Sequence, residues 1–349
     1  MGAMVGWGRS HVSRLTGMLG AVVFVALAAA PVLAHGLAPA PPDLSTLVFG
    51  WSFDPFLQLG ILGSTALYLV AVRRVDRVHP ANPVPRIRVA MFLLGIVTIE
   101  IALASVVERY DDTLFSDHMV QHALLMLVAP PFIALGAPIT LALRAASPGV
   151  RKGILLPILH SRVVRFLAHP IVAWLIFTAV MWGSHFSPLF DLALENDTVH
   201  NLEHLLYLSS ALLFWWPVIG VDPSPWRMPY PARILYLLLM MPMMSFLSLA
   251  IYSAPEPLYA HYVTIGRGWG PSPLADQQAA GAIMWVWADM TAMIATIGVM
   301  AAWLRDEEAR TARSEAREDA RLTEIREREI RLAERLAVER AEGTSPDLG

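Results

Sequence analysis

Seven stretches, 55–72, 87–107, 115–135, 170–186, 201–220, 233–253 and 279–303, are almost wholly apolar, and each runs close to the length of a membrane crossing. About 20 apolar residues in helical form span the hydrocarbon layer of a bilayer. In that layer no water satisfies backbone N–H and C=O groups, so helices or closed barrels are the structures that can cross it. The expectation is an all-α polytopic membrane protein with a seven-helix transmembrane domain over residues 55–304. A hydrophobic share of 56% against 16% charged residues agrees.

The flanks divide differently. Arg9 and Arg14 precede an apolar run that ends in Val32-Leu33-Ala34, which reads as a signal peptide over 1–34, with an extra N-terminal helix as the alternative. Cleavage after Ala34 would expose His35, whose α-amino group and imidazole form a candidate copper chelate. Residues 35–54, with the Pro-rich "GLAPAPPD", read as an extracytoplasmic tether. Beyond residue 304 Arg and Glu dominate, with Glu324/Arg328 and Glu327/Arg331 at the helical i,i+4 spacing. This predicts a cytoplasmic helical tail over 305–349, solvated on most faces. Its thin stripe of Leu322, Ile325, Leu332 and Leu336 leaves self-association or contact with a partner open.

Positive charge orients the spans. Arg73, Arg74, Arg77, Arg86 and Arg88 lie between the first two, Arg144, Arg151, Lys152, Arg162 and Arg165 after the third, and Arg227 and Arg233 after the fifth. The alternate connections carry few basic residues, among them Arg109 and Arg267. The pattern places the mature N-terminus outside and the C-terminus in the cytoplasm of a bacterial inner membrane. A net charge of -3 gives no footprint for nucleic acid, and the absence of cysteine excludes disulfides, thiolate metal sites and Cys nucleophiles.

The polar residues inside the spans then sort by side. His118 and His122 open the third span, His185 ends the fourth, and His200 and His204 open the fifth, all at the same outward end. Residues four apart on a helix share a face, so each doublet can chelate one ion, and two doublets can build a three- or four-ligand site. Asp117, Gln121 and Glu203 sit beside the imidazoles as candidates for fixing their tautomers, and Asp276 opens the seventh span at that depth. A lone interfacial His is ordinarily a polar anchor, but five at one depth point to a metal. His79, His160 and His169, at the opposite end, read as anchors. Asp289 and Glu100, deep in their spans, are proton or ion relays or satisfied interhelical hydrogen bonds. Met240 and Met244, in a cluster of four methionines of the sixth span, suit Cu(I) or fill gaps in a packed core. Thiolate-free ligands suit copper first and zinc next. No nucleophile–base pair or phosphate loop supports a conventional enzyme.

Four stretches, "FSDHMVQHALLMLVAPPFIALGAP", "HPIVAWLIFTAVMWGSHFSPLFDLAL", "VHNLEHLLYLSSALLFWW" and "ADQQAAGAIMW", resemble in order the signatures of the CtaG family of cytochrome c oxidase assembly factors, the caa3-type multi-span proteins. The resemblance runs from about Trp51 to Trp303. It maps the family's histidine motifs onto His118, His122, His185, His200 and His204, with Glu203, Asp276 and Gln277 alongside. It implies a non-enzymatic role in handling copper for a respiratory oxidase, with oxidase subunits or a soluble periplasmic copper chaperone as partners. "WGSHFSP" departs from a more aromatic family stretch, and the Arg/Glu tail lies outside the resemblance. An intramembrane zinc-dependent hydrolase, with Glu203 or Asp276 as base, and a copper transporter using Asp289, Glu100 and the sixth-span methionines are the rival readings.

Overall fold

The computed structural model describes residues 39–343, and every element of secondary structure among them is helical. The signal segment and His35 lie outside the described residues. The first span is Pro55–Val78, started by Asp54, whose carboxylate accepts from Phe56 N and Leu57 N. The second is Arg86–Ala104, continued by the short helix Val106–Tyr110. The fifth is Asp197–Ile219, capped by Asn196 and ended by Gly220 in the left-handed region at φ 62°. The sixth is Tyr230–Tyr252. The chain is a multi-pass membrane protein: among the described residues six helices are long and apolar enough to cross a membrane, and a bent pair, taken as one span, brings the number to seven.

Two spans depart from straight helices. The third comprises Phe115–Ala123, a π-helical turn at Leu124–Val128, and Ala129–Leu135. Pro130 and Pro131 explain the wide turn. Neither has an N–H to return to the preceding turn, and their rings crowd its carbonyls. One carbonyl so released, Met126 O, accepts the Trp215 indole N–H of the fifth span at 2.9 Å. The fourth span, Pro170–His185, is 16 residues long, too short alone, and bends by 68° into Leu189–Glu195. Pro188 stands at that bend.

The third span lies against the second and the fifth, and the fifth also packs on the fourth and sixth. Small residues set the closest approaches. A Cβ on Gly95 would stand 2.6 Å from Ile133 Cγ1, and one on Gly136 2.7 Å from Phe92 Cβ. A Cβ on Gly281 of the seventh span would likewise stand 3.0 Å from the Ser248 carbonyl oxygen. Leu59, Leu62, Leu175, Phe246 and Ile294 on the outer faces are exposed, as a lipid-facing surface requires.

The seventh span does not stop where the composition changes. Helix is assigned from Pro273 to Gly343, and it covers the charged tail as well as the seventh span. Arg328 and Glu324 pair at 2.8 Å and Arg331 and Glu327 at 3.7 Å, both exposed pairs that contribute little stability. Leu322, Ile325, Leu332 and Leu336 are all exposed.

Candidate metal centre

The histidines gather at the end of the bundle where the second and third, fourth and fifth, and sixth and seventh spans are joined. His118 and His122 sit one turn apart with ring centroids separated by 4.1 Å. His118 stacks on His200 at 5.3 Å, His200 lies 4.2 Å from His204, and His122 lies 6.1 Å from His185 and 6.4 Å from His204. His118, His122, His185 and His204 are at most 3% exposed, whereas the His200 side chain keeps 15%. Three spans therefore deliver five imidazoles to one small volume.

The hydrogen bonds fix two tautomers. His185 Nδ1–H donates to the Met181 carbonyl at 2.7 Å, which leaves Nε2 with its lone pair, buried and unpartnered. Gln121 donates its amide N–H groups to Ala102 O at 3.1 Å and Glu108 Oε2 at 2.6 Å, so its oxygen faces His204 and accepts from Nε2–H at 3.0 Å. The lone pair of His204 is thereby on Nδ1. Gln121 thus holds an imidazole as the sequence suggests for it, though on the neighbouring helix rather than its own.

Both ring nitrogens of His118, both of His122 and both carboxylate oxygens of Glu203 are buried without a hydrogen-bond partner. Tyr207 stands beside Glu203, and its hydroxyl also lies 2.5 Å from Ser184 Oγ, where either oxygen can donate. Buried polar groups are paired in most proteins, and a cluster of exceptions calls for an ion or water that satisfies them together.

The ligand atoms that approach one another most closely include carboxylates. His118, His122 and Glu203 place one atom each within 4.8 Å of one another, and so do Asp111, His118 and His200. The sequence groups five histidines on a single ion; the structure draws two mixed sets that share His118, with His185 and His204 beside them. Glu203, expected in a supporting place, stands among the potential ligands. Asp111 was not anticipated. It lies in the connection after the second span, 3.6 Å from His200 Nε2, and burial together with Glu108 and Asp112 pushes its carboxyl well above the usual carboxylate range. A bound cation would reverse that.

Other predicted residues do different work. Asp276 is fully buried, but both its oxygens are committed: they accept from Phe115 N at 2.8 Å and from Ser116, and they pair with Arg267 Nη1 at 3.2 Å. It caps the helix that carries His118 and His122. Asp117 leaves one buried oxygen unpaired and joins neither ligand set. Asp289 accepts from the Trp285 indole at 2.9 Å and from Ser245 of the sixth span, the pattern of a satisfied interhelical bond. Met240 and Met244 are buried in the core.

An aromatic roof covers the cluster. Phe115, Phe190, Tyr259 and Tyr262 contact one another, and Phe190 lies 5.0 Å from His118 and 5.4 Å from His185. The connection before the seventh span is laced down by Tyr259 to His185 O, Tyr262 to Asp111 O, His261 to Asp112 O and Arg267 to Thr113 O. His200 and Asp111 form the edge of the cluster nearest solvent.

The model of the family described as cytochrome c oxidase caa3 assembly factor (Caa3_CtaG) matches residues 66–306, a range that contains every residue of both ligand sets. The chain belongs to the CtaG family of caa3 oxidase assembly factors. The matching family is described as one of assembly factors, the reading set against the hydrolase in the sequence. Among curated proteins, an uncharacterised protein of Mycobacterium leprae is 31% identical over 298 residues, which is 81% of this chain and 44% of the relative. Uncharacterised proteins of Mycobacterium bovis and Mycobacterium tuberculosis are each 30% identical over 290 residues, 81% of this chain and 43% of theirs. The chain thus spans less than half the length of these relatives. No solved structure matches it.

Proposed function

We propose that this CtaG-family protein captures copper at its histidine–carboxylate cluster and hands it to a component of a cytochrome c oxidase during assembly. The observation that carries the reading is the set of buried, unpartnered nitrogens and oxygens on His118, His122, His185 and Glu203, which one or two metal ions would satisfy. Imidazole with carboxylate suits copper or zinc, and the family's connection to an oxidase favours copper. The basic connections lie at the opposite end of the bundle, so the cluster faces the periplasm of a bacterial inner membrane. A partner's ligands reach the ion through the His200–Asp111 edge, so exchange proceeds without crossing the bilayer. The partner is an oxidase subunit or a soluble periplasmic copper chaperone.

Purified full-length protein and its His118→Ala and His122→Ala variants, loaded with copper in detergent, test this. The wild type should retain copper and each variant should lose it while remaining in the membrane fraction. Equal copper content in all three would overturn the assignment, and retention of zinc alone would replace copper by zinc.

A further inference from the structure

Directly beneath His122 the bundle encloses a cavity of about 10 Å³, lined by the side chains of Met119, Met126, Met181, Met244 and Met284 together with His122. These methionines come from the third, fourth, sixth and seventh spans, and each is at most 4% exposed. Five of the eight lining residues are methionine, although the whole chain has only 16 in 349 residues. Gap-filling alone does not concentrate thioethers in this way. At about 10 Å³ the cavity has room for a single atom and no more. Water is a poor occupant, since it needs two to four polar partners and the lining offers the His122 ring with weakly accepting sulfurs.

We infer that this cavity is a second metal site, specific for a soft monovalent cation, Cu(I), held by a His122 nitrogen and two or three of the sulfurs that Met119, Met126, Met181, Met244 and Met284 bring to its lining. Thioether and imidazole ligands select Cu(I) over hard or strongly hydrated cations. The charge it brings into the core is balanced by Glu203, whose carboxylate lies within 4.8 Å of a His122 ligand atom and has no partner. Met181 ties the two sites together, because its carbonyl also fixes the His185 tautomer. The imidazole row His200, His118, His122 therefore ends on thioethers, and ligand softness increases inward along it.

The site goes beyond the proposed function, because it concerns a different oxidation state and different donor atoms. Full-length protein in detergent would be titrated with Cu(I) buffered by a bidentate chelator. X-ray absorption would be recorded on selenomethionine-labelled protein, so that no substitution is needed to see the ligands. A Cu–Se scattering path should appear. The Met244→Leu/Met284→Leu double variant, which nearly conserves volume, should bind Cu(I) at least tenfold more weakly, with divalent copper binding unchanged. Cu(I) surrounded by nitrogen and oxygen alone, or a double variant with wild-type Cu(I) affinity, would overturn the site. Retention of divalent copper by His118→Ala, by contrast, would count against the proposed function and leave the Cu–Se result to decide this one.

Discussion

Replacing His118 by Leu should make the metal-free protein more stable and the metal-loaded protein less responsive. His118 is fully buried, and neither ring nitrogen has a hydrogen-bond partner. Each unsatisfied buried polar atom costs about 1–3 kcal/mol, so the two together set an upper limit of about 6 kcal/mol. Leucine has a similar volume but a different shape, and imperfect repacking costs up to about 1.5 kcal/mol. A net gain on the order of 2 kcal/mol follows, which for a domain of this size raises the melting temperature by roughly 3 °C. Copper at 100 times its dissociation constant adds about 2.7 kcal/mol to the wild type and nothing to a variant whose site is broken. The two proteins should therefore exchange some or all of their difference on loading. Differential scanning fluorimetry in one detergent, at one scan rate, with chelated and copper-loaded samples, reads both effects. A variant that melts below the chelated wild type, with equal copper shifts in both, would refute the claim that these nitrogens await an ion.

Asp276→Asn should destabilise the protein by about 3–5 kcal/mol in thermal melts, because it leaves Arg267 buried against a neutral partner and weakens the cap on the helix of His118. Gln121→Leu removes the acceptor that orients His204 and should weaken copper binding about 10–100-fold in competition titrations while the fold survives. Gly95→Ala drives a methyl group into Ile133 and should cost about 1–3 kcal/mol, whereas Gly63→Ala, with nothing within 4 Å, should not destabilise. Because the chain has no cysteine, single-cysteine labelling reports orientation cleanly: a membrane-impermeant maleimide applied to spheroplasts should modify Glu195→Cys and spare Gly149→Cys.

The spans were legible because lipid imposes one requirement, a long apolar helix, and hydropathy records it directly. What the apolar pattern concealed were the deviations inside it. Pro130 and Pro131 are visible in the sequence, but the π turn they produce depends on Trp215 of another span accepting its role as donor to Met126 O. The i,i+4 doublets likewise announced His118/His122 and His200/His204, since both spacings are local. Asp111 escaped because it lies in a connection with no periodicity and reaches His200 only through tertiary packing. Its signal was the acidic pair Asp111-Asp112 a short way before His118. Asp276 was legible as a residue at the depth of the imidazoles, but not its partners: its carboxylate serves the terminus of the helix of His118 and pairs with Arg267. The methionines of the cavity are scattered over four spans, and no one-dimensional pattern joins them.

The most direct test of the central claim is X-ray absorption at the metal edge on protein purified from copper-replete bacterial membranes. The account predicts bound copper with imidazole scattering and additional oxygen ligation from carboxylate, both lost in the His118→Ala/Glu203→Gln variant. Protein that carries no metal, or whose metal signal is the same in that variant, would contradict it.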